Sequence, residues 1–72
     1  MEEKLYKIMM EVLEISNIDI NCSQLNCPSW DSMHHLNLIM ALEAEFGVDF
    51  EPEEIARMTD LAMLKEILFS KI

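Results

Sequence analysis

Apolar residues recur at helical spacing from the start of the chain. Leu5, Ile8, Met9, Val12 and Leu13 are separated by Glu and Lys, and residues three and four apart share one face of a helix. The pattern predicts a first helix over residues 3–15. From Ser16 to Asp31 the periodicity lapses into a stretch rich in Asn, Ser and Asp that contains Pro28. It reads as a long loop, with Ile18, Ile20 and Leu25 expected to pin it to a core. Loops of that length inside a small fold usually serve a function.

Periodicity returns from Ser32 to Phe46 and stops at Gly47, the only glycine of the chain. A glycine there suits the left-handed residue that ends many helices. Val48 to Glu51 makes a short connector, and Pro52 opens a brief third helix through Met58, since proline is at home in a first helical turn. Thr59 or Asp60 caps a fourth helix whose apolar face is Leu61, Leu64, Ile67 or Leu68, and Ile72. No strand signal and no repeat interrupts this series. The expected fold is all-α: one domain over residues 1–72, a four-helix bundle with three longer helices, a short third helix, and a long loop between the first two.

The second helix is apolar over more than half its circumference, at about 100° of rotation per residue. Met33, Leu36, Leu38, Ile39, Met40, Leu42 and Phe46 all contribute. Ile39, Leu42 and Phe46 are expected to face inward together with His35, while His34 points outward. Met33 and Met40 then lie on the opposite edge, in contact with water. Two readings stand: an adaptable binding surface, or the ordinary exposure of some apolar area on a small domain.

Composition narrows the functional classes. Fourteen acidic residues face five basic ones across 72 positions, for a formal net charge of -9. Such a surface repels phosphate backbones and anionic lipid heads, so nucleic acid and membrane are not expected partners. It attracts proteins with basic patches, mainly by speeding encounter; alternatively the charge only keeps a small domain soluble. The acids around Asp49, Glu51, Glu53 and Glu54 are the expected site of cation screening. The start Met1-Glu2-Glu3-Lys4 leads straight into the amphipathic pattern, with no signal-peptide character. No apolar run approaches the roughly 20 residues of a membrane span. Cys22 and Cys27 are too few for a disulfide framework, so reduced thiols, a cytoplasmic setting and a monomer are expected. A chain this short has little room for a pocket holding several catalytic groups.

The junction of loop and second helix carries the chemistry. Trp30-Asp31-Ser32-Met33, followed by His34-His35-Leu36-Asn37-Leu38-Ile39-Met40-Ala41-Leu42-Glu43-Ala44-Glu45-Phe46-Gly47, resembles the acyl carrier protein family. There an Asp-Ser-Leu-like motif opens the second helix, and its serine bears phosphopantetheine. Pro52-Glu53-Glu54-Ile55 looks like the start of that family's third helix, so the likeness runs weakly before Pro28 and closely from Trp30 to Ile55. The resemblance implies the acyl-carrier four-helix fold and an absence of catalysis by the chain itself. It implies a 4'-phosphopantetheine arm on Ser32, with Asp31 as the motif neighbour read by a phosphopantetheinyl transferase. Acyl-loading or acyl-transferring enzymes with basic docking patches are then the further partners, met by Met33, Leu36, Met40 and Glu43. Physics suits the attachment, because a phosphodiester at a helix N-terminus meets unpaired N–H groups and the positive end of the dipole. The plainer reading is that Ser32 or Asp31 is only a helix cap, worth typically about 1 kcal/mol.

Where fatty-acid carriers are strongly acidic just after the serine, this chain has His34, His35 and Asn37. The Trp-Asp-Ser-Met opening looks more like stand-alone carriers of the polyketide, lipopolysaccharide-associated and D-alanyl types. Three functions therefore remain open: a carrier of fatty or polyketide acyl groups, a carrier of aminoacyl or D-alanyl groups, and an unmodified interaction module. Other constellations fail on spacing. Asp19, Asn21 and Ser23 imitate a calcium loop, but Gln24 stands where glycine must turn the chain and Trp30 where a bidentate glutamate belongs. Cys22, Cys27, His34 and His35 match no familiar zinc spacing. Ser32 has a histidine nearby, yet no nucleophile-elbow pattern and no third member of a triad accompany it.

Overall fold

Every third or fourth residue of α1 (Glu2–Leu13) is a large apolar one, and the stripe of Leu5, Met9 and Leu13 is fully buried. The structure is a computed structural model that describes residues 2–72; Met1 lies outside the described residues. The helix ends at Leu13, two residues before the expected Ile15. Glu14 adopts φ +57°, and the Ile15 N–H reaches back to the Met10 carbonyl at 3.1 Å. A left-handed residue closes the last turn in this way and turns the chain aside.

The same device ends α2 (Ser32–Phe46) at the expected glycine. Gly47 has φ +66°, and the N–H groups of Gly47 and Val48 both donate to the Glu43 carbonyl, at 2.9 and 3.3 Å. His35, Leu38, Ile39 and Leu42 form the buried face of α2, a spacing that keeps one side of the helix on the core. Phe46, expected fully inward, is half-buried and lies under the Lys4 ammonium, 5.4 Å from its ring centroid.

The long loop is pinned differently from the expectation. Ile18 packs against the core, but Ile20 is exposed and Leu25 is 100% exposed. Backbone makes the attachment instead: the Gln24 N–H donates to the Thr59 carbonyl and the Leu61 N–H to the Cys22 carbonyl, each at 2.9 Å. These bonds form an isolated antiparallel bridge between Ser23 and Asp60. Cys22 and Trp30 supply the buried side chains on either side of it. A loop held by its main chain leaves Ile20 and Leu25 outside.

α3 (Pro52–Arg57) begins at its proline, and the Glu51 N–H donates to Glu54 Oε1 at 2.8 Å. It stops one residue short of the expected end, because Met58 leaves the helix and is fully buried. Asp60 caps α4 (Leu61–Lys71), accepting from the Met63 N–H at 2.7 Å. Leu61, Leu64, Ile67 and Leu68 all face the core, whereas Ile72 lies past the helix end and is exposed. α1 packs on α2 and α3 on α4. Each fully buried leucine contributes about 1.5–3 kcal/mol, which is how so short a chain sustains a core. Lysines tie the helices at the surface: Lys4 to Glu45 at 3.2 Å, Lys71 to Glu54 at 2.9 Å, and Lys65 to Glu2.

The left-handed Glu14 is strained where Gly47 is not, since a Cβ crowds that conformation. Glu14→Gly is expected to raise unfolding stability by about 0.5–1 kcal/mol, the left-handed relief outweighing glycine's added unfolded-state freedom. Urea denaturation at a pH where His34 is neutral, so that its pairing with the Glu14 carboxylate does not enter, checks this, and a midpoint that stays put or falls would show that no strain is relieved.

Candidate functional site at the Asp31–Ser32 junction

Asp31 takes the cap of α2. Its backbone is extended, and its Oδ1 accepts from the His34 N–H at 2.9 Å. Ser32 is therefore the first helical residue, exposed and without capping duty. It stands at the positive end of the helix, where the first backbone N–H groups have no partner within the helix.

His34 does not simply point outward. Its Nδ1 lies 2.8 Å from Asp31 Oδ1 and its Nε2 3.5 Å from Glu14 Oε2. The ring thus bridges the end of α1 and the start of α2. A carboxylate on each nitrogen favours the doubly protonated imidazolium. The hydrogen bond that the ring donates to Asp31 is the main cause that raises the His34 pKa, with Glu14 adding to it. In turn the His34 N–H and then its ring hold Asp31 below the usual carboxylate range.

His35 points the other way and is only 8% exposed. The Trp30 indole N–H donates to its Nδ1 at 2.9 Å, which fixes the proton of the neutral ring on Nε2. Nε2–H then donates to the Ile55 carbonyl, also at 2.9 Å. The histidine expected to be structural is therefore a two-sided link between loop, α2 and α3. Breaking it without replacement leaves the buried indole N–H unpaired, at about 1–3 kcal/mol, while the Ile55 carbonyl keeps the Met58 N–H at 3.3 Å. Several buried methylenes, at about 0.8 kcal/mol each, would be needed to offset that loss.

A groove of about 340 Å³ opens beside Ser32. Leu36, Pro52 and Ile55 give it apolar walls, Gln24 and Thr59 add polar groups, and His35 lies at its base. On the adjoining face of α2, Met33, Leu36 and Met40 are 71%, 56% and 64% exposed. Glu43, expected on the same partner surface, is half-buried, and its Oε2 accepts from the Phe50 N–H at 2.9 Å. Its carboxylate shapes the connector after α2, a duty that helical spacing does not reveal.

A second hollow, of about 610 Å³, is lined by Glu14, Asn17, Asp19, Cys22 and Cys27 among others. Burial, and then the neighbouring Cys27, push the Cys22 thiol up to about 11, so it is a poor nucleophile at neutral pH. Asp19 closes a turn by accepting from the Asn21 N–H at 2.8 Å. Among the described residues, no three His, Cys, Asp or Glu side chains are grouped to hold a metal ion. The acids around Asp49 accordingly do not form a cation cluster; Glu54 is bound to Lys71 and to the Glu51 N–H instead.

No protein-family model matches this sequence. In three dimensions the chain is similar to the solution NMR structure of a holo acyl carrier protein from Geobacter metallireducens. The two superpose with a TM-score of 0.85 at 25% sequence identity, over 96% of this chain and 82% of the other. The chain has the fold of an acyl carrier protein. That meets the resemblance carried by the Trp30–Gly47 segment and the expectation of a helical bundle with a short third helix. The fold points to a carrier protein, and none of its described helices is long and apolar enough to cross a membrane.

Sequence reasoning singled out the junction but missed what supports it. Trp30 was legible only as part of the motif, although a lone tryptophan amid polar loop residues signals an anchor. The Ile55 carbonyl and Gln24 gave no signal, because neither backbone acceptors nor loop docking follow from periodicity.

The His34 bridge has a pH signature. Its folded pKa is raised above the unfolded value, so its contribution to stability is complete below the unfolded pKa and is lost as pH rises through the raised folded one. Asp31→Asn, which keeps a helix cap, is expected to move the His34 titration down towards that of an ordinary imidazole. NMR titration of the ring protons checks this; identical midpoints in the two proteins would remove Asp31 as the cause.

Proposed function

We propose that this chain is an acyl carrier protein whose Ser32 bears a 4'-phosphopantetheine arm, with the acyl group held as a thioester at the tip of the arm. The observation that carries the reading is an exposed serine on the first turn of α2, directly after the capping Asp31, in a chain with the carrier fold. A phosphodiester on Ser32 would be favoured by the helix N-terminus. The arm, leaving from a helix start at the surface, would sweep freely through solvent. The chain supplies no catalysis; it presents cargo to other enzymes.

The partners in this reading are a phosphopantetheinyl transferase and the loading and transferring enzymes of fatty-acid, polyketide or related lipid biosynthesis, acting on a cytoplasmic monomer. Met33, Leu36 and Met40 form the apolar centre of the docking surface, with Glu43 at its edge, and the net charge of -9 steers basic partners towards it. The same charge disfavours nucleic acid and anionic membranes. An aminoacyl or D-alanyl cargo is the second reading, favoured by the polar Gln24 and Thr59 beside Ser32.

A phosphopantetheinyl transferase supplied with coenzyme A is expected to add one arm to the wild-type chain and none to Ser32→Ala, as read by intact mass. Addition persisting in that variant would place the arm elsewhere. The docking surface has its own test. Because Met40 is exposed, Met40→Ala should leave the melting temperature unchanged while slowing arm addition or acyl transfer about three- to ten-fold, as for a contact at an interface centre. Stability falling together with rate would assign Met40 to the core instead.

A further inference from the structure

We propose that His35 is a latch that keeps the cargo in the surface groove beside Ser32 and out of the core, so that this chain carries short, polar-substituted acyl groups in preference to long alkyl chains. The inference rests on the carrier reading and narrows its cargo. A group swinging from Ser32 meets first the groove that Ser32 itself lines. His35 both lines that groove and belongs to the buried face of α2. There the imidazole is held at both nitrogens, by the Trp30 indole on one side and the Ile55 carbonyl on the other. Trp30 is itself fully buried and, by its backbone N–H, bonded to the Cys27 carbonyl at 2.9 Å. The latch therefore has a fixed side in the loop and a fixed side in α3.

Behind it, Leu38, Leu42, Met58, Leu61 and Leu64 are fully buried. An alkyl chain entering there must displace them and part α2 from α3. Parting those helices separates His35 from Ile55 and leaves the Nε2–H of a buried imidazole without its partner. A short acyl group gains too little apolar burial to offset this. In the groove, by contrast, the Gln24 amide and the Thr59 hydroxyl offer a donor and an acceptor to a hydroxyl, keto or amino substituent, while Leu36 and Ile55 cover its carbon skeleton.

The experiment loads the apo protein with acetyl, butyryl, β-hydroxybutyryl and hexanoyl arms from the matching coenzyme A thioesters, checks Ser32 by mass, and follows the loaded proteins by NMR. In the wild type the Trp30 indole N–H signal should be the same for all four. The hexanoyl chain should show contacts to Leu36 and Ile55 and none to the methyls of Leu38, Leu42 or Leu64. The β-hydroxybutyryl arm should contact Gln24 and Thr59 where butyryl does not. In Trp30→Phe and His35→Leu the hexanoyl chain should reach the core methyls, and the melting temperature should rise with chain length. Should both variants fail to fold, the wild-type measurements decide alone. Hexanoyl contacts to Leu38 or Leu42 in the wild type, with the indole signal displaced, would overturn the latch. So would a folded variant that still excludes the chain. An absence of loading at Ser32 would overturn the carrier reading itself, and mass distinguishes that failure before any NMR is recorded.

Discussion

The position of the Asp31 carboxylate governs the rest of the molecule. By taking the His34 N–H it fixes the residue at which α2 begins, and a helix start set one residue away would turn every side chain by about 100°. With the start fixed at Ser32, His35, Leu38, Ile39 and Leu42 meet the core while Met33, Leu36 and Met40 meet water. The same cap leaves the serine hydroxyl uncommitted. One short hydrogen bond thus separates the buried face, the apolar outer face and the exposed serine.

Charge is placed with similar economy. The chain has only five basic side chains, and Lys4, Lys65 and Lys71 each join two helices while lying over an aromatic ring. Exposed ion pairs of this kind contribute little singly, about 0–1 kcal/mol. Their greater effect is to remove the repulsion that helices carrying so many carboxylates would otherwise feel. At the Ser32 end no lysine is present, and His34 takes that part between Asp31 and Glu14. The neighbourhood of Ser32 is therefore less acidic than the net charge implies, and at His34 that balance depends on pH.

Helix number, type and order were legible because amphipathic periodicity and end signals act locally. Gly47, Pro52 and the Asp60 cap fell where such signals place them. Boundaries failed where a long-range contact competed with local preference: Glu14 turns left-handed as Ile15 folds back towards the core, and Met58 leaves α3 for the interior. The loop was the least legible element. Ile20 and Leu25 looked like anchors by hydropathy, yet main-chain bonding to the α3–α4 junction outweighs side-chain burial there, and hydropathy is blind to it. At the site, Ser32, Asp31 and the exposed methionines were readable from the motif and the wide apolar arc. The Trp30–His35–Ile55 link was not, since it joins residues twenty-five apart through a ring nitrogen and a carbonyl.

In the proposed carrier reading two mechanical requirements pull in opposite directions: an arm on Ser32 must move, and the surface that partners recognise must not. Here they are met at adjacent residues. Ser32 is exposed on the first turn, where Asp31 rather than the serine caps the helix. Asp31 and His34 are held to each other, and through Glu14 to α1. One step further along, His35 is anchored to the loop and to α3. Anything attached to Ser32 therefore moves against a base gripped from α1, α3 and the loop at once. The His35 part of that grip consists of directional hydrogen bonds about a buried ring, and it resists sliding in a way that apolar packing alone does not. The polar residues that depart from an acidic carrier helix, His34 and His35, are thus the ones that hold the junction rigid. Their presence is accounted for by mechanics before any partner is considered.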